Sequence, residues 1–180
     1  MRVSKPIFWH QGMFMQPQHF QYSEAYWQSL LGPMQQMMQP HFWGVIDLNL
    51  SRSALPNRSC ELVSGRFIFP DGSQVSVPDN GQLPNRTFDE DAVEPDRPFT
   101  IYIGVRTLQP GEPNVTVVNS SGDVQAVKTR YFTRVDPRSA QDLYQDGPDA
   151  SIQELDYKLE FLFEHEIELR SEFQVIPVAQ

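Results

Sequence analysis

Three of the four histidines, His10, His19 and His41, stand in the N-terminal part of the chain, where their ring nitrogens could ligate a metal. A metal site needs convergent ligands that are held by supporting hydrogen bonds. The spacings offer no helical i, i+4 pair of histidines and no neighbouring acidic base. We therefore expect no bound metal, and we interpret these histidines as packed or interfacial side chains.

Carboxylate pairs could perform acid–base chemistry if burial and mutual repulsion separated their pKa values. The pairs Asp89/Asp91 and Glu164/Glu166 fall in a predicted loop and at an exposed strand edge, so we expect them to be solvated. The sequence DGPD at 146–149 lacks the ligand spacing of a calcium loop. No Ser or Cys lies in a nucleophile motif. The sequence predicts no catalytic residue, no cofactor and no enzyme.

Protein docking is the chemistry that the N-terminal residues favour. Residues 9–21 contain aromatic, thioether and amide side chains and no charge, and all three Trp and all six Met lie within the first 43 residues. The cores of protein interfaces share this composition. An alternative is that Trp9, Phe14 and Phe20 cover one face of the core, and we expect both roles to coexist. The predicted partner or subunit contacts are Trp9, Met13, Phe14, Pro17, His19, Phe20, Trp27, Leu31 and Met34.

The helical period predicts one helix from Pro17 to Gln39, since Pro suits the first helical position and Pro40 disfavours helical geometry before it. Its apolar arc spans about 180°, whereas a single core contact needs roughly 100°. The helix should therefore touch its own domain on one side and another surface on the other. Gly32-Pro33 should kink or split it. One apolar stripe consists of Phe20, Trp27, Leu31, Met34 and Met38.

A period of two follows the helix and predicts β-strands. The acidic, proline-rich stretch 78–98 should be a long loop. About eight strands at short spacing favour a mainly β fold, an antiparallel β-sandwich with an N-terminal helical arm. We expect one domain over 1–180, with the arm at 1–43 and the sandwich at 44–178. The predicted strands are 45–50, 62–69, 74–77, 99–106, 114–118, 130–135, 155–163 and 173–178.

Charge and cysteine content exclude several classes of partner. The formal net charge of −9 repels phosphate backbones, so nucleic acid and anionic membranes are not expected partners. Cys60 is the only cysteine, which is compatible with a reducing compartment. No apolar run approaches the roughly 20 residues of a membrane-spanning helix, and no signal-peptide core is present. We expect a cytoplasmic protein.

Several motifs, in order along the chain, resemble the N-terminal domain of the TssK baseplate subunits of bacterial type VI secretion systems. Gln11 stands where that family more often has Glu, and Met15 where it often has Leu. The motifs are WHQGMFMQPQHFQ at 9–21, WG at 43–44, FPDG at 69–72, FTIYI at 99–103, RYF at 130–132 and IPVA at 176–179.

The resemblance implies a cytoplasmic trimer whose β-sandwich shoulder is similar to that of phage receptor-binding proteins. It also implies docking onto the wedge proteins TssF and TssG at the inner face of the inner membrane. A stalk and a head that contacts the membrane complex would follow, and this chain would lack both. The rival hypothesis is a sandwich that binds a glycan or small ligand, with Trp side chains as stacking platforms.

Overall fold

The computed structural model describes residues 5–88, 99–119, 121–142, 144 and 147–180, without the side chains of Gln35, Gln36, Ser121 and Asp123. The chain divides into two compact units, Met1–Phe42 and Trp43–Gln180. We call them the N-terminal unit and the sandwich unit. The pair Asp89/Asp91, most of the predicted acidic loop and Asp146 lie outside the described residues.

One helix, α1 (Pro17–Met38), dominates the N-terminal unit and confirms the predicted helix. Pro33 lies inside it, and the helix continues through Gly32-Pro33, where the sequence predicts a kink or a split. The split is absent. A proline removes one backbone donor, at a cost of about 3 kcal/mol, but the turns on either side keep their own hydrogen bonds. Neither α1 nor any other helix among the described residues is both long enough and apolar enough to cross a bilayer.

The described residues of the sandwich unit form the eight predicted strands and five short ones. Two of the short strands, β5 and β6, lie in the stretch 78–88 that the sequence predicts to be irregular, and that part of the prediction is wrong. The strands are β1 (Gly44–Leu50), β2 (Ser59–Cys60), β3 (Leu62–Ile68), β4 (Gln74–Val77), β5 (Gly81–Gln82), β6 (Arg86–Thr87), β7 (Ile101–Arg106), β8 (Val115–Val118), β9 (Tyr131–Arg134), β10 (Arg138–Ala140), β11 (Ala150–Ile152), β12 (Asp156–Phe163) and β13 (Phe173–Ala179).

A three-stranded sheet, in the order β1-β3-β4, forms one layer. The predicted hairpin of β3 and β4 is present, and its turn closes through a 2.8 Å bond from the Gly72 N–H to the Phe69 carbonyl. Gly72 has φ +86°, which a side chain would disfavour. A register shift between Val45 and Asp47 interrupts the alternation of β1, so Ile46 is exposed although its period predicts burial.

A six-stranded sheet, in the order β13-β7-β12-β9-β8 with β5 beside β12, forms the other layer. Its long pairings, β12 with β7 and β7 with β13, are antiparallel. The pairings of β8 with β9 and of β5 with β12 are parallel, which the purely antiparallel expectation did not include. Two further pairs, β2 with β6 and β10 with β11, form small separate sheets.

The main core fills the space between these two layers. From the first layer it takes buried residues such as Phe67 and Val75, and from the second Ile103, Leu159 and Phe161. The thiol of Cys60 lies in the same cluster, and burial raises its pKa although the nearby Arg86 opposes the shift. The alternating side chains of β-strands therefore form a two-layered β-sandwich, as the sequence predicts.

A buried arginine ties the two layers together. The Arg130 guanidinium donates to the Asp71 carboxylate at 2.8 Å and to the Ser73 hydroxyl, both near the β3–β4 turn. It also donates to the Arg106 carbonyl at 2.6 Å. Burial lowers the pKa of Arg130, but the Asp71 carboxylate and Tyr131 together outweigh burial and raise this pKa above its ordinary value, so the group stays charged. The turn at 70–73 is thus anchored to the six-stranded sheet.

Candidate protein-docking surface

The residues before α1 fold onto the start of the helix. Gly12, at φ +85°, allows the reversal, and the Met13 N–H donates to the His10 carbonyl at 3.4 Å. The Trp9 ring then lies 6.4 Å from the His19 ring, measured between centroids. Both ends of the aromatic segment are therefore held together within the N-terminal unit.

His19 has a structural role at the helix start. Its Nδ1 lies 3.1 Å from the Gln16 backbone nitrogen, and it occupies the third helical position, where Glu or Gln commonly accepts this bond. The His19 N–H in turn donates to the Gln16 carbonyl at 3.0 Å. His19 thus caps the helix and orients the ring of Trp9 beside it.

Most of the predicted contact residues are exposed in the N-terminal unit. The exposed fraction is 80% for Phe14, 55% for Phe20 and 62% for Trp27. Met13 and His19 are partly buried. The remaining predicted contacts, all exposed, are Trp9, Pro17, Leu31 and Met34.

The same surface extends to residues that the contact prediction left out. The signal that could have found them is their composition, because they are aromatic or thioether side chains in the same uncharged segment. Beside the stripe of Phe20 to Met38, α1 carries a second row of apolar side chains. In this row Tyr22 and Met37 are exposed, whereas Tyr26 and Leu30 are partly buried. The additional exposed side chains are Phe8, Met15, Tyr22, Met37, Met38 and Phe42.

None of the described residues 5–42 is buried. Trp9, Phe14 and Phe20 are at least half exposed and so form no core within the N-terminal unit. The alternative, that they cover one face of the sandwich, stays a prediction. Clustered large apolar side chains on a surface mark sites of interaction. We call residues 8–42 with these exposed side chains the N-terminal apolar surface.

Glu164 and Glu166, the carboxylate pair considered for acid–base chemistry, form hydrogen bonds that hold the sandwich unit together. The Glu166 carboxylate accepts two hydrogen bonds from Arg86, at 2.8 and 2.6 Å, and one from the Phe163 N–H at 3.0 Å. Burial raises the pKa of Glu166, but these bonds outweigh it and lower the pKa below its ordinary value. Glu164 accepts a bond from the Thr100 N–H at 2.7 Å. The sequence predicts that these two carboxylates are solvated. Instead, their oxygens accept hydrogen bonds from backbone N–H groups and, in Glu166, from Arg86.

Metal ligands do not converge in the described part of the chain. No group of three or more His, Cys, Asp or Glu side chains is placed to hold a metal ion there. His10 lies beside the Gln11 carbonyl, at 3.1 Å from Nδ1. Trp9 and Trp27 belong to the N-terminal unit and Trp43 precedes β1, so no Trp stands on a sandwich strand.

The sequence profile of a bacterial type VI secretion family, described as VasE, ImpJ and EvfL, matches residues 19–180. The chain belongs to this family. The family is described by its part in secretion and not by a reaction, and the match confirms the resemblance that the motifs indicate.

A relative from Pseudomonas aeruginosa, the type VI secretion system baseplate component TssK1, is 28% identical over 105 residues. The matched region is 58% of this chain and 23% of that protein. The chain therefore spans less than a quarter of the length of this relative.

Solved structures of TssK share the fold. A crystal structure of TssK matches with a TM-score of 0.80 at 21% identity, over 97% of this chain and 37% of that one. A chain of the TssK-TssF-TssG baseplate subcomplex, determined by cryo-electron microscopy, matches with a TM-score of 0.77 at 20% identity, over 97% and 55%. These likenesses confirm the mainly β sandwich with an N-terminal helix.

Proposed function

We propose that this chain is the N-terminal, non-catalytic adaptor region of a type VI secretion baseplate subunit. Membership of the VasE family supports a role in type VI secretion. The description of the P. aeruginosa relative as a baseplate component supports the place in the machine. The adaptor's work is to hold neighbouring proteins in place, which needs contact surface and not reactive groups.

The observation that carries the proposal is the N-terminal apolar surface. Leaving a large apolar side chain in water forfeits roughly 1.5–3 kcal/mol compared with full burial. A partner that covers several of these side chains would recover a substantial part of this free energy. The Gln side chains of α1 can add hydrogen bonds at the border of the contact, with little desolvation of charge.

The wedge proteins TssF and TssG are the partners that we propose for this surface. A similar chain occurs in a solved TssK-TssF-TssG subcomplex, which supports this choice. We further propose that the longer subunit is a trimer at the cytoplasmic face of the inner membrane, that a stalk and head follow this region, and that the head links the baseplate to the membrane complex. The net charge of −9 supports partners other than nucleic acid or membrane lipid.

The decisive experiment is co-purification of the chain with TssF and TssG from the same organism. Phe14→Asp and Phe20→Asp together place two carboxylates in the N-terminal apolar surface, and we expect loss of the complex because a buried unpaired charge opposes docking. Circular dichroism checks that the variant stays folded.

Leu108→Asp combined with Ile152→Asp is the matched control. Both side chains are exposed and apolar, and both lie in the sandwich unit. We expect this control to bind the wedge proteins normally. Normal complex formation by the folded Phe14/Phe20 variant would contradict the docking assignment.

A further inference from the structure

An open cleft of about 570 Å³ lies in the sandwich unit. Its walls are the start of β6, the middle of β12 and the backbone segment at 125–128, with side chains from the end of β7 and from residue 170. Three lining residues, Leu159, Phe161 and Val127, have side chains buried in the cores, which fixes the position of these walls.

Basic side chains dominate the rim of this cleft although the whole chain is acidic. Against them stand the lining Glu160 and two carboxylates that pair with the rim, Glu166 with Arg86 and Glu172 with Arg106 and Arg170. Among the described residues, five basic groups therefore face three carboxylates, in a chain whose net charge is −9. The basic lining residues are Arg86, Arg106, Lys128, Lys158 and Arg170.

Lys158 is the unusual member of this set. Its side chain is only 5% exposed, yet it lines the cleft. Its Nζ donates to the Leu159 carbonyl at 3.2 Å and lies 3.7 Å from the nearer Glu160 oxygen. An ammonium group has three donors, so these two partners, one of them beyond hydrogen-bond distance, leave it able to donate to a ligand.

Arg86 is held rigidly at the same cleft. Its NH1 donates to the Phe161 carbonyl at 2.6 Å, and both terminal nitrogens donate to Glu166. The guanidinium also lies over the Phe163 ring, 4.4 Å from the centroid. A positive charge fixed in this way loses little conformational freedom when an anion approaches.

A second, largely apolar pocket of about 390 Å³ adjoins the cleft. Pro84 and Gln125 line both cavities, so the two are neighbours along one surface. The apolar lining of the second pocket includes Leu62, Leu83 and Val124. One extended peptide could therefore place an acidic side chain in the cleft and an apolar side chain in the pocket beside it.

We propose that this basic cleft binds an acidic peptide segment of a protein partner, with a carboxylate seated between Lys158, Lys128 and Arg86 and an adjacent apolar residue in the second pocket. The proposal does not depend on the docking role of the N-terminal apolar surface, because every residue involved belongs to the sandwich unit. Charge complementarity supplies the specificity, since the rest of the acidic chain repels such a peptide.

Fluorescence anisotropy of this 180-residue chain with a fluorescein-labelled peptide, in which glutamates flank one leucine, tests the proposal. We expect binding that weakens with added salt, and no binding of the same peptide with glutamine in place of glutamate. Lys128→Glu and Lys158→Met should each weaken binding by about tenfold or more, which corresponds to about 1.4 kcal/mol.

Arg52→Glu is the matched control, because it makes the same charge change as Lys128→Glu at an exposed position that does not line the cleft. Unchanged binding by this control supports the proposal, and equal weakening by Arg52→Glu and Lys128→Glu would overturn it. Should Lys158→Met fail to fold, Lys128→Glu on the surface decides alone. Binding of inorganic phosphate without any binding of the acidic peptide would also overturn the assignment to a peptide partner.

Discussion

The two units place the same kind of side chain in opposite surroundings. Phe67 and Phe161 in the sandwich unit are 1% exposed, whereas Phe14 and Phe20 in the N-terminal unit are more than half exposed. A pair of sheets offers two facing apolar layers, so each covers the other. A single helix with an apolar arc of about half its circumference has more apolar surface than one contact can cover. The sandwich unit therefore has a core of its own, and the N-terminal unit is the one for which we propose docking.

The largest expected effect is the difference in unfolding free energy between replacing a buried and replacing an exposed phenylalanine. Phe161→Ala should lower the free energy of unfolding of the sandwich unit by about 3–5 kcal/mol, because it leaves a cavity between the sheets. Phe14→Ala should change it by less than about 0.5 kcal/mol, because its ring is exposed. Urea denaturation followed by fluorescence measures both. Equal losses would contradict the comparison.

A smaller effect should come from the arginine that joins the two layers. Arg130→Met removes a buried charge but leaves the Asp71 carboxylate and the Arg106 carbonyl without this donor, so we expect a loss of about 2–3 kcal/mol. The control is Arg138→Met, which breaks an ion pair to Glu154 whose two side chains are both more than half exposed. That change should leave the unfolding free energy nearly unchanged in the same denaturation experiment, because solvent and salt screen an exposed ion pair. A cost as small for Arg130→Met would mean that the anchor does not stabilise the sandwich.

The smallest expected effect is a dependence on pH. The pKa of Glu166 is lowered in the folded chain, so its contribution is fully present above the unfolded value of about 4.3 and is lost as pH falls through the folded value. Glu166→Gln should therefore lower the unfolding free energy by about 1 kcal/mol at neutral pH and have less effect near pH 3.

Glu24→Gln in the N-terminal unit sharpens the same comparison. It removes one carboxylate from α1, outside the sandwich unit, and should leave the pH dependence of sandwich unfolding unchanged. Urea denaturation at both pH values measures each variant. An equal change of slope in both would assign the effect to net charge and not to the Arg86–Glu166 pair.

Periodicity was sufficient for the helix and the long strands because each signal is local. The alternation of β12 predicts that Leu159 and Phe161 face the core, and they do. On the other face of β12, Lys158 is also buried, and no local pattern marks this, because the lining of a cleft depends on segments distant in sequence. The parallel pairing of β8 with β9 depends on the path of the chain between them and has no local sequence signal.

Sequence composition identifies the region of the candidate docking surface, but it does not assign a role to each residue in it. Uncharged aromatic and thioether side chains identify the region, and their exposure agrees with that identification. The capping role of His19 was not predicted, because it requires the third helical position to meet the Gln16 backbone N–H. Helix capping is thus a structural role for His19 that involves no metal.

Cys60 gives the sandwich unit a built-in kinetic reporter. It is the only cysteine of the chain, and it is buried in the main core with a raised pKa. A thiol reagent can therefore modify the native chain only during an opening of this unit, since the thiolate must reach solvent before it reacts. Motions confined to the N-terminal helix expose no thiol and leave the labelling rate unchanged. The rate of labelling therefore measures opening in the sandwich unit and does not report on the N-terminal unit.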